Sequence, residues 1–92
     1  MTKFKRITIP LVSSEFSESS QSIGYYCHID ITTQISSALG TSDTYITAFV
    51  ESVFATSDST YQNGFGSVVN KILGCNIKYL RDTTVRVIIM YK

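Results

Sequence analysis

The sequence predicts an α+β domain: a four-stranded antiparallel sheet with helices packed on one face, in the order ββααββ. Two patterns lead there. Apolar residues alternate with polar ones near both ends of the chain, the period of a strand. In the middle they recur at helical spacing, with Tyr45, Ile46, Phe49, Val50, Val53 and Phe54 falling at i, i+1, i+4, i+5, i+8 and i+9. Propensity favours a different answer over the same stretch, because Thr, Tyr, Val and Phe prefer strands. The alternative fold is therefore an all-β sandwich.

Four segments carry the strand period. In Arg6–Val12, Ile7, Ile9 and Leu11 alternate with Arg6, Thr8 and Pro10; proline lacks a donor N–H and suits an edge strand or a strand end. Ile23–Thr33 places Ile23, Tyr25, Cys27, Ile29 and Ile31 on one side and Tyr26, His28 and Asp30 on the other. A third strand runs from Cys75 to Leu80. The last, Thr83–Tyr91, sets Val85, Val87, Ile89 and Tyr91 against Thr84, Arg86, Ile88 and Met90, and Arg81-Asp82-Thr83 is short enough to join the two as a hairpin. Between them, a helix is expected over residues 45–54, with Thr41, Ser42 or Asp43 as its cap. A second is expected over Phe65, Val68, Val69, Ile72 and Leu73, opened at Asn63 or Gly64 and stopped at Gly74. Gln34–Leu39 can add one helical turn.

The chain of 92 residues is long enough for one domain and too short for two. It is read as a single domain over residues 1–92, with a Ser-rich mobile connection at 13–22. Only 16% of residues are charged, whereas 24 of the 92 are Ser or Thr, so like-charge repulsion does little to keep copies apart. The net charge of +1 is unevenly placed. Residues 1–12 hold +3, residues 13–60 hold −6, and residues 61–92 hold +4.

Chemistry-bearing motifs are sparse. His28 and Asp30 share a strand face but have no further ligand in view for a metal. Gly64-Phe65-Gly66-Ser67 before a helix carrying Lys71 could cradle a phosphate, yet the spacing departs from a P-loop. No Gly-x-Ser-x-Gly elbow is present, and one histidine is the sole imidazole. The expectation is a protein that is not an enzyme and holds no cofactor. Cys27 and Cys75 fall on apolar strand faces and are expected to be buried thiols.

The open sheet face is the candidate site. Arg6, Tyr26, Lys78, Leu80, Arg86, Ile88 and Met90 would lie on it, an apolar centre with basic neighbours. Asp43, Glu51 and Asp58, on the helical side of a neighbouring copy, would be the acidic counterpart. A basic sheet side meeting an acidic helix side is a heterologous contact, which builds rings, tubes or shells. This predicts a structural, self-assembling protein such as a small virus or phage particle subunit. A small binding module, either a protein inhibitor or a single-stranded nucleic-acid binder, is the alternative. The low net charge and the absence of an RNA-recognition motif disfavour nucleic acid. No apolar run reaches a membrane span, and Ile7–Val12 is too short for a signal peptide core. A cytoplasmic protein, or one assembled into a particle, is expected.

Overall fold

A computed structural model describes residues 1–18, 24–62 and 64–92. It contains two four-stranded antiparallel sheets. The strands are β1 (Lys3–Leu11), β2 (Ser17–Glu18), β3 (Tyr25–Asp30), β4 (Tyr45–Ala55), β5 (Asp58–Gln62), β6 (Gly64–Val69), β7 (Ile72–Ile77) and β8 (Thr83–Tyr91). One helix, α1 (Thr32–Ala38), links β3 to β4, and Ser13–Glu15 form a 3-10 turn. The first sheet runs β1-β8-β4-β5 and the second β2-β3-β7-β6. Pairing is nested: the first strand pairs with the last, and β3 pairs with β7. The chain crosses between sheets after β1, β3, β5 and β7.

The α+β expectation is therefore corrected, and the all-β alternative fits. The two segments expected to be helices are strands, for two physical reasons. In β4 the register slips at Ile46 and again at Glu51. Each slip is a bulge that adds one residue to one strand of the pair. Inward positions become Tyr45, Ala48, Val50, Val53 and Ala55, a rhythm of threes and twos that imitates a helical stripe. Around residues 65–73 the cause is a tight hairpin. Asn70 and Lys71 both have positive φ (52° and 62°), the backbone of a two-residue type I′ turn. Val68 then faces Leu73 and Val69 faces Ile72. The mirrored partners fall five and three residues apart, so Val68 and Val69 are followed four residues on by Ile72 and Leu73, as they would be on a helix.

Smaller corrections follow. Strand β7 begins at Ile72 and ends at Ile77, so residues 78–80 belong to the loop before β8. Thr32 and Thr33 open α1, which covers the turn expected over Gln34–Leu39. Of the Ser-rich connection, Ser17–Glu18 pair with β3, and residues 19–22 lie outside the described residues. So do Ile23, expected in a strand, and Asn63, expected to open a helix.

The core lies between the sheets. Ile9, Leu11, Val53, Val85, Val87 and Ile89 from the first sheet meet Cys27, Leu73, Cys75 and Ile77 from the second, with Ile31 and Ile35 closing one side. The strict alternation of β8 explains why it sits centrally, between β1 and β4: Val85, Val87 and Ile89 on one face are fully buried, with the buried Thr83 at its start donating to the Arg81 carbonyl.

Candidate functional site

With both inner faces spent on the core, the chemistry available to the molecule lies on the outer faces, edges and loops. The outer face of the first sheet is built from alternate residues of β1, β8 and β4. Cross-strand register sets them in rows: Phe4, Met90, Thr47; then Arg6, Ile88, Phe49; then Thr8, Arg86, Ser52; then Pro10, Thr84, Phe54. Phe4 is 59% exposed and Phe49 46% exposed. They flank the half-buried Ile88 and Met90 diagonally, so the four side chains form one apolar centre across three strands.

Charge on this face is settled within the chain. Arg6 Nη2 donates to Glu51 Oε2 at 2.6 Å. The β4 bulge at Glu51 places that carboxylate beside β1's arginine, across the central strand. Both side chains keep solvent contact, so the pair is worth only about 0–1 kcal/mol. Arg86 lies over the Phe54 ring, its Cζ 4.7 Å from the centroid, a cation–π contact that helps to cover Phe54.

The expected interface residues thus divide among three places. Arg6, Arg86, Ile88 and Met90 share the outer face of the first sheet. Tyr26 lies on the outer face of the second sheet, 5.6 Å from His28 between ring centroids. Lys78 and Leu80 are exposed in the β7–β8 loop, where Lys78 reaches over Tyr79. A single open face carrying all seven does not exist, because the strands belong to two sheets.

The acidic counterparts are dispersed too. Asp43 accepts a hydrogen bond from the Gly40 amide in the α1–β4 loop (2.6 Å). Glu51 pairs with Arg6 of its own chain. Asp58 opens β5 and accepts from Thr60 (2.8 Å from its hydroxyl). An acidic helical side for a neighbour's basic sheet has no counterpart in the fold, since residues 43–58 are largely strand.

Other motifs resolve into structural roles. Gly64-Phe65-Gly66-Ser67 is strand β6 rather than a loop before a helix, which removes the helix N-terminus a phosphate would need. A Cβ on Gly66 would lie 2.5 Å from the Gly74 carbonyl oxygen, so β6 requires glycine there. His28 covers Gly74, where a Cβ would come within 3.2 Å of the imidazole. Asp30 Oδ1 accepts from the Thr32 amide at 2.8 Å. Hydrogen bonds from the Thr32 hydroxyl and amide hold its carboxyl below the usual range. Among the described residues, no three His, Cys, Asp or Glu side chains gather as metal ligands, and no helix is long and apolar enough to cross a membrane. A depression between α1 and the start of β4 is open to solvent, with Lys71 Nζ 4.8 Å over the Tyr45 ring.

Cys27 and Cys75 face each other across β3 and β7 inside the core. Burial raises both thiols, with Glu15 adding to the effect at Cys27, and Cys75 is pushed up to about 12.

Comparison with known proteins finds no matching family model, no matching curated protein and no matching solved structure.

Phe4 and Phe49 are the members of the apolar face that sequence reasoning missed. Phe4 was visible as the same phase as Arg6 and Thr8 once β1 is extended to Lys3. Phe49 was hidden by the helical reading of β4.

Proposed function

We propose that this chain is a non-enzymatic structural protein that associates with copies of itself through the outer face of its first sheet. The observation that carries the reading is the apolar centre made by Phe4, Phe49, Ile88 and Met90 beside an ion pair already satisfied within the chain. Aromatic, Met and Arg side chains are the types enriched where proteins meet. A solvated outer face of an antiparallel sheet alternates polar-out; this one puts two phenylalanines, an isoleucine and a methionine outward. The contact envisaged is apolar, not basic against acidic, because Arg6 and Glu51 neutralise each other locally. A hydroxyl-rich, weakly charged surface opposes it little.

The size of the gain is bounded. Burying four such side chains completely is worth on the order of 6–12 kcal/mol, and these are already partly covered. Association itself costs on the order of 4–15 kcal/mol. One such face supports a weak contact, and a durable ring or shell needs repetition or a second contact. Two packed antiparallel sheets serve many unrelated roles, so the fold does not choose one; assembly into a small particle is proposed from the surface alone.

The test is the double variant Ile88→Thr with Met90→Thr. Its far-ultraviolet circular dichroism is expected to match the natural chain's while its mass by light scattering falls to a smaller species. A folded variant of unchanged mass would sink the reading.

A further inference from the structure

Four strands form the edges of the two sheets, and three are guarded. Strand β1 carries Lys3, Lys5, Arg6 and Pro10; β2 has two residues among those described; β5 opens on Asp58 and pairs with β4 through an irregular register. Lysine, proline, brevity and irregularity are the devices that stop a sheet edge from adding another strand. Strand β6 has none of them. Its six residues, Gly-Phe-Gly-Ser-Val-Val, hold no charge and no proline, and its pairing to β7 is regular throughout. At the end of the second sheet, Phe65–Val69 have no strand paired on their other side among the described residues, and β4 of the first sheet packs beside β6.

The side chains of this edge are symmetric about Ser67. Phe65 lies two residues before it and Val69 two after, all three on the outer face. Phe65 is 71% exposed and Val69 64%, the most exposed large apolar side chains after Met1 among the described residues. We propose that the β6 edge pairs antiparallel with the β6 edge of a second copy about a two-fold axis at Ser67. Ser67 then stands opposite its equivalent, and each Phe65 packs beside the other copy's Val69. The two four-stranded sheets become one of eight strands, and the most exposed apolar pair is covered twice over. Self-complementarity of this kind specifies a second copy of the same chain, the isologous contact of a two-fold dimer. The inference extends the self-association reading with a contact on a different surface. Together with the sheet face, it supplies the second contact that a growing assembly needs.

Directly opposed residues of an antiparallel pair have Cα atoms about 4.5–5.5 Å apart, within the span of a disulfide. Ser67→Cys therefore reports the register, while the buried Cys27 and Cys75 stay silent. Under oxidised glutathione, which takes up the two electrons and two protons, the Ser67→Cys chain is expected to link rapidly into a covalent dimer. Ser37→Cys, exposed on α1 and on neither contact surface, is the control and should link at least tenfold more slowly. Phe65→Lys should remove the dimer seen by light scattering without lowering the melting temperature. Equal linking of the two cysteine variants, or an unchanged mass in Phe65→Lys, overturns the proposal. The Ser67→Cys link should persist when Ile88→Thr and Met90→Thr are added, so the edge and the face fail or survive separately.

Discussion

The outer faces of the two sheets are organised differently. On the first sheet the apolar side chains gather over the central strand β8, spanning β1, β8 and β4, with one ion pair beside them. On the second the middle is polar or bare, with His28 lying over Gly74 next to Ser67, and the strongly exposed apolar groups Phe65 and Val69 sit on the edge strand. A cluster over a sheet's centre suits burial beneath a flat partner; apolar groups along an unguarded edge suit extension of the sheet. The proposal thus gives one surface to stacking and one to lateral pairing.

The largest expected effect separates inner from outer positions on the strand between β1 and β4. Ile89 is fully buried and Ile88, its neighbour, faces out. Ile89→Ala should cost about 2–5 kcal/mol in chemical denaturation. Ile88→Thr should cost the isolated chain less than about 1 kcal/mol while weakening association. Equal losses would mean that the outer face is a second core rather than a contact surface.

That contrast also shows why parts of the molecule could be read from sequence and others could not. Strand β8 keeps a strict period of two because it is paired on both sides without insertions of its own, so its ends, its inner face and the outward-facing Arg86, Ile88 and Met90 are all legible. Its neighbour β4 carries two bulges that exist only relative to a partner, and no local pattern reveals them. The β6–β7 hairpin turns on Asn70 and Lys71, not the Asn-Gly pair that marks such turns most clearly, though an asparagine at its first position was a usable signal. The sequence puts Tyr26 and Arg86 on one face because alternation tells which side of a strand a residue takes, not which sheet the strand joins.

A smaller effect concerns the core where the two sheets meet. Cys27 and Cys75 should resist a thiol reagent at neutral pH until denaturant is added, with Cys75 the slower of the two because its burial is deeper and its pKa is near 12. Rapid labelling of either under native conditions would mean that the second sheet does not close over the first.

The smallest effect is at Asp30. Its lowered carboxyl pKa means that the hydrogen bonds from Thr32 stabilise the folded chain fully above the ordinary carboxylate range. That contribution is lost as pH falls through the lowered native value. Asp30→Ala should therefore reduce the melting temperature slightly at neutral pH and not at all in strong acid. A difference that persists in strong acid would assign the effect to packing instead.

Self-association is the central claim, and the mass of the unaltered chain in solution tests it most directly. Light scattering across a hundredfold range of concentration should give a mass that rises above the 10.3 kDa of one chain and grows with concentration. A mass that stays at one chain throughout would contradict the account.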